Sequence, residues 1–459
     1  MLIHTRAISC LPKTKVVRRL FAALVLAATI IAIDFSLKSY YYGRSYRYYE
    51  AGLIYLEDSK TLLLFSPDRH LFWRLKPCIA MNIAETPREY GLYIPGGRPA
   101  PYSFTVHTNR RGQNSPEFSL KKPPGTLRIV TLGDSRTMAE GVPFESLYSR
   151  RLESLLNRDN RRGGAEVINA GVSGYSLYQG IVQLEREMAL CQPDIVTVLF
   201  GINDQDTDQG VSDVEKARIF DSPVVTVRQW LNRSMICYSL QRAAWQIRGW
   251  LLGKTPNMPV RYASPPRAPR RVSLREYEEF LDRIADLGER HGFKPMFMIL
   301  PTSPYAYDAS LREDVPSPLP AAAVTGLAAA RACVTQGDIR GAVTALQDIL
   351  SSYPHISAAH YALAECCQRL GEFDRAHAEF VASREPIIFG RYEAVVRQVA
   401  ARRGVTLVDL TPEFTAMRKE PLYVDDMHPN RLGHDIIARR LHEAIAQDTD
   451  YGQGMHGQR

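Results

Sequence analysis

Ser135, His428 and Asp425 are the residues whose types and spacing best suit covalent chemistry. A serine hydroxyl is a weak nucleophile until a base takes its proton. His428 can be that base, and Asp425, three residues earlier, can bond the imidazole and hold its tautomer. Attack on an ester carbonyl develops an oxyanion, which needs donors. The backbone N–H groups of Ser135 and Gly174 and the side-chain amide of Asn203 are the candidates; losing one such donor typically costs about 2.7–4 kcal/mol of transition-state stabilisation.

Four short segments carry these groups: Gly133-Asp134-Ser135, Asn169-Ala170-Gly171-Val172-Ser173-Gly174, Gly201-Ile202-Asn203-Asp204 and Asp425-Asp426-Met427-His428-Pro429. Each alone is weak. Gly-Asp-Ser is usually a turn, Asp-x-x-His pairs arise by chance on surfaces, Gly174 could serve only a tight turn, and Asn203 could cap a helix. Their weight lies in their placement.

Leu127 to Leu132 is a short apolar run that ends directly in Gly133-Asp134-Ser135, and a helical pattern over Leu147 to Leu156 follows. Glu166 to Asn169 is a second strand, Leu177 to Ala189 a helix, and Asp194 to Phe200 a third strand ending at Gly201. Ser273 opens a helix with Glu276 at capping-box spacing, Gly292 stops it, and Phe297 to Pro301 is a fourth strand. Helix Tyr392 to Ala401, strand Val405 to Leu410 and helix Ile436 to Ala446 complete the series. Apolar strands alternating with helices predict a parallel sheet covered on both faces, which binds ligands beyond the carboxyl ends of its strands. The first three segments stand at such ends.

The order Ser135, Gly174, Asn203, His428 resembles that of the SGNH (GDSL-type) hydrolases, with Gly-x-Asn-Asp and Asp-x-x-His-Pro matching well. The resemblance covers roughly residues 127–204, 273–301 and 389–445. It implies a flavodoxin-like three-layer α/β/α fold, Ser135 as nucleophile, Asp425 and His428 as its triad partners, and Gly174 and Asn203 as oxyanion donors. Arg136 stands where the family usually has an apolar or aromatic residue, and Ala139 where glycine is common. Arg136 could therefore contact an anionic substrate. An α/β-hydrolase is disfavoured, since position 137 is Thr and no G-x-S-x-G elbow forms.

Between residues 318 and 388 the alternation gives way to an Ala-rich helical segment. Ala330, Gly337, Ala342 and Leu346 recur as Ala364, Gly371, Ala376 and Phe380, each 34 residues later, which resembles the tetratricopeptide repeat. The expected division is a tail over 1–19, a signal anchor over 20–37, a lead-in with short strands over 45–125, and a core in two parts, 126–317 and 389–447. The first part carries a lid insertion at 205–272, the repeat lies between the two parts, and 448–459 forms a disordered tail.

The 459 residues, 45% hydrophobic and 23% charged, suit a globular chain of two or three units. The net charge of +8 is spread out with no long basic run or base-stacking motif, which argues against nucleic acid and fits mild attraction to anionic lipid or polysaccharide. Arg6, Lys13, Lys15, Arg18 and Arg19 precede the apolar stretch Leu20 to Leu37, and Tyr40 to Tyr49 follow as an aromatic belt. This pattern predicts an uncleaved anchor with the remainder outside the cytoplasm, in a bacterial envelope or periplasm. The seven cysteines form no C-x-x-C pair; most are expected as small core residues, and neither metal nor cofactor is implied. The sequence thus predicts a membrane-anchored serine esterase acting on acyl or acetyl esters, O-acetylated glycan first. Acyl transfer through the same residues and assembly through a protein partner at the repeat are the alternatives.

Overall fold

The computed structural model describes residues 11–42, 48–50, 54–56, 64–85, 102–158, 164–207, 211–221, single positions between 223 and 247, 269–305, 319–384, 388–416 and 421–448. Residues 1–10 of the expected N-terminal tail, residues 449–459 of the expected C-terminal tail and most of the expected lid lie outside the described residues, although helix Asp213–Phe220 of the lid is described. The chain divides into two compact units, one of residues 1–72 with 216–263 and one of residues 73–215 with 264–459.

The second unit is built on five parallel strands: β1 (Leu127–Gly133), β2 (Ala165–Asn169), β3 (Ile195–Leu199), β4 (Lys294–Ile299) and β5 (Thr406–Asp409). Their spatial order is β5-β4-β3-β1-β2, the doubly wound order of flavodoxin-like sheets. Every residue of β1 and β3 is buried, which is why these strands read as mainly apolar runs, interrupted only by Arg128, Thr131 and Thr197. Alternate side chains serve opposite faces. Leu127, Ile129, Met296 and Met298 join a core with Leu152, Leu156, Ile437 and Leu441 from helices Tyr148–Arg158 and Arg431–Gln447.

The intervening side chains Val130, Leu132, Val198 and Phe297 are also buried. The remaining helices of the alternation are Leu177–Gln183, Leu274–His291 and Ile388–Arg403. The first is shorter than its sequence pattern suggested, because Leu184–Met188 widens into a π-helical turn. Helix Leu274–His291 has the predicted capping box: Glu276 N–H donates to Ser273 Oγ and Ser273 N–H to Glu276 Oε2. Gly292 ends it at φ 76°, where a Cβ would be strained. Arg402 and Arg403 reach from Ile388–Arg403 to Glu278, Asp282 and Asp286, tying together helices that stand on either side of the repeat in sequence.

The repeat segment folds as two helical hairpins, Ala321–Thr335 with Ile339–Ser352 and Ser357–Arg369 with Phe373–Arg384. Ala330, Ala342, Ala364 and Ala376 are all buried where helices meet, and Gly337 and Gly371 take positive φ at the turns. Because β4 precedes these hairpins and β5 follows them yet pairs with β4, the segment interrupts a single sheet. In the lead-in, Ala80–Glu85 and Tyr102–His107 pair antiparallel.

In the first unit, α1 (Leu11–Tyr42) contains the stretch expected as an anchor, with Phe21, Leu24, Leu26 and Ile31 exposed. Among the described residues, however, no helix is long and apolar enough to cross a membrane, so the expected spanning helix is not borne out. Asp34, the one charge within 20–37, accepts from Ile236 N–H at 3.2 Å. Cys78, Cys191, Cys333, Cys366 and Cys367 are free thiols, three of them buried; Cys10 and Cys237 lie outside the described residues.

Candidate active site

β1 ends at Gly133 and the chain turns at once into a four-residue helix, Ser135–Met138. A Cβ at Gly133 would stand 2.8 Å from the Leu199 carbonyl oxygen, and one at Gly171 would stand 2.3 Å from the Met138 nitrogen. Both glycines are therefore required by close backbone approach. Asn169 donates to Thr137 O at 2.7 Å, and Asn114 donates to Met138 O at 2.9 Å, so the short helix is held from two sides. Its end, Ala139, adopts φ 71° without being glycine, a conformation costing about 1–2 kcal/mol for an ordinary residue.

The loop after residue 421 brings His428 to Ser135. Ser135 Oγ and His428 Nε2 are 2.8 Å apart, and His428 Nδ1 and Asp425 Oδ2 are 2.7 Å apart. Asp425 also accepts from the Met427 and His428 N–H groups at 2.9 and 2.7 Å, and from Tyr102 OH at 3.2 Å. Burial opposes the charged imidazolium, but Asp425, then Glu140 and Asp426, outweigh it and raise His428 to about 9. Glu140 Oε2 lies 3.7 Å from His428 Nε2, the nitrogen that faces Ser135. Burial likewise opposes ionisation of Asp425, yet His428 and the two backbone donors hold its carboxyl below the usual range. A hydroxyl, an imidazole and a carboxylate in this line can pass a proton away from Ser135.

Gly174 sits at φ 74°, with the Trp73 ring 3.2 Å from where a Cβ would be. Trp73 Nε1 donates to Ser173 O at 3.0 Å. That carbonyl shares a planar trans peptide with the Gly174 N–H, so fixing one end of the peptide aims the other. Arg271 fixes the next peptide, donating to Gly174 O at 2.7 Å while its guanidinium lies over Trp73 and forks onto buried Asp213. Among the described residues neither Ser135 N–H nor Gly174 N–H has an acceptor. Asn203 Nδ2 donates one hydrogen to Tyr175 O at 3.1 Å, which leaves its second for another acceptor. Asp204 shapes this turn, accepting from Gly201 N–H and, at the start of helix Leu177–Gln183, from Leu177 N–H; burial raises its carboxyl to about 7.

Ser135, Asp425 and His428 thus come together as the sequence suggested. Arg136 does not join them. It is fully buried, forks onto Asp134 at 2.7 and 3.0 Å and donates to Leu300 O, so its guanidinium cannot meet a substrate. That expectation is corrected: a charge at this position needs its neighbouring carboxylate, and finds it two residues away. Sequence reading also missed Tyr102, Glu140, Trp73 and Arg271, since nothing local marks them. Among the described residues no group of His, Cys, Asp or Glu could hold a metal.

Residues 131–315 match the GDSL-like lipase/acylhydrolase family, and residues 334–384 match a tetratricopeptide repeat. None of the curated proteins matches the chain. Similar solved structures include the acetyl xylan esterase AlAXEase, at 13% identity over 69% of this chain and 99% of that one, TM-score 0.33. An acetylxylan esterase from Geobacillus stearothermophilus is 15% identical over 69% and 93% of the two chains, TM-score 0.33. A lipase/acylhydrolase from Enterococcus faecalis is 14% identical over 69% and 94%, TM-score 0.34. The chain thus carries a GDSL-like lipase/acylhydrolase domain over residues 131–315 and a tetratricopeptide repeat over residues 334–384, placed where the chain leaves and rejoins its parallel sheet.

Proposed function

We propose that the chain hydrolyses acyl esters through a covalent Ser135 intermediate, with His428 as base and then acid and Asp425 holding the imidazole. The observation that carries this reading is the unbroken line from Ser135 Oγ through His428 to Asp425, at 2.8 and 2.7 Å. Ser135 N–H, Gly174 N–H and the second hydrogen of Asn203 Nδ2 are the oxyanion donors in this scheme. His428 returns the proton to the leaving alcohol, and water, activated by the same imidazole, releases the acid.

The substrate class that fits best is an acetyl ester on a glycan. Ser135 is only 6% exposed, which suits a short acyl group, and the polar groups about His428 suit a polyhydroxylic alcohol. The exposed apolar side chains of α1, preceded by basic residues, support attachment of this end to a lipid surface. The repeat match supports a protein partner along 318–388. Hydrolysis of an aryl acetate and of an acetylated oligosaccharide by the chain and by Ser135→Ala tests the chemistry. The variant is expected to lose both activities; hydrolysis by Ser135→Ala at the parent rate would refute the assignment.

A further inference from the structure

Away from Ser135, a cavity of about 540 Å³ is lined by four arginines, Arg74, Arg110, Arg111 and Arg186. Glu187 is the single acidic residue of this lining, and it pairs with Arg74 at 3.3 Å. Arg186 has no acidic partner among the described residues. Arg111 lies 5.9 Å over the Phe118 ring, and Arg110 reaches Glu117 only at 3.9 Å with 85% of its side chain exposed, a pairing of little strength. The wall therefore carries an excess of positive charge that repels itself until an anion arrives. Gln113, almost fully buried in the same wall, has an amide oxygen with no donor among the described residues.

The rest of the lining includes Leu120, Met188 and Leu190. A wall of guanidinium forks beside apolar side chains suits a ligand with a carboxylate on a ring that also offers a C–H face. The volume lies within the roughly 300–1,000 Å³ of small-ligand sites, more than one inorganic ion fills and less than a folded segment needs. We propose that this cavity binds a uronic-acid unit of an acidic saccharide. Arginine forks take its carboxylate, and the apolar side chains take its ring. Leu190 and Cys191 lead into the amino end of β3, whereas Ser135 lies past the carboxyl end of β1, so the two sites are separate. The inference stands whether or not Ser135 is the nucleophile.

Titration calorimetry of the full chain carrying Ser135→Ala with an unesterified oligogalacturonide tests it. Saturable binding that weakens as salt rises is expected, and adding Arg111→Ala with Arg186→Ala should reduce affinity by about tenfold or more. In the Ser135 background the same pair should leave aryl acetate hydrolysis unchanged, showing an intact fold. If the pair impairs folding, Arg186→Ala alone decides, with a clear affinity loss required. Unchanged affinity in the variant, equal binding of a neutral xylo-oligosaccharide or an oligoglutamate, or full displacement by inorganic phosphate would each overturn the proposal.

Discussion

Ser135 faces an imidazole that carries more negative charge around it than a base alone requires. Asp425 holds one nitrogen, while Glu140 stands 3.7 Å from the other. Because His428 works as a base only when neutral and is raised to about 9, kcat/KM should climb with pH and level off above about 9. Removing the Glu140 charge disfavours the imidazolium, so Glu140→Gln should move the midpoint to lower pH with the slope kept. A pH–rate profile of each protein checks this, and an identical midpoint in both would contradict it. The sign for stability runs the other way. A histidine raised on folding stabilises the fold below its unfolded value, and that contribution fades as pH rises through about 9.

The elements place these residues through contacts that are long in sequence. Trp73, from the lead-in, fixes the Ser173–Gly174 peptide, and Arg271, at the end of the expected lid, fixes the next. Trp73→Phe keeps a ring but loses the indole N–H. It should lower kcat by roughly tenfold, less than deleting an oxyanion donor, while KM stays near the parent value. Equal kcat in steady-state assays would remove Trp73 from the account. Gly171→Ala should fail differently: a Cβ 2.3 Å from the Met138 nitrogen forces helix Ser135–Met138 to move, lowering both Tm and kcat. The strands, capping box and four motifs were legible in sequence because each rests on local spacing. Tyr102 was not, since it meets Asp425 across 323 residues, and Arg136 misled because burial, invisible in sequence, gave its charge to Asp134.

Across the whole molecule, one short connection touches both the Asp–His loop and the repeat. Ser303 N–H donates to Asp426 O at 2.8 Å, Tyr423 OH donates to Pro301 O, and Tyr305 packs on His377 and Phe380 of the last repeat helix. The repeat's period was readable from small residues at helix contacts; its closeness to the site was not, because residues 301–305 carry no pattern. A chain lacking residues 1–44 should lose flotation with anionic vesicles yet keep its kcat on aryl acetate; undiminished flotation would deny α1 that role. The central claim is that residues 293 positions apart form one catalytic unit. Its most direct measurement is mass spectrometry after incubation with a fluorophosphonate. One adduct on Ser135, forming in step with loss of esterase activity and not forming in His428→Ala, is the predicted result. Activity that persists once Ser135 is fully modified would contradict the account.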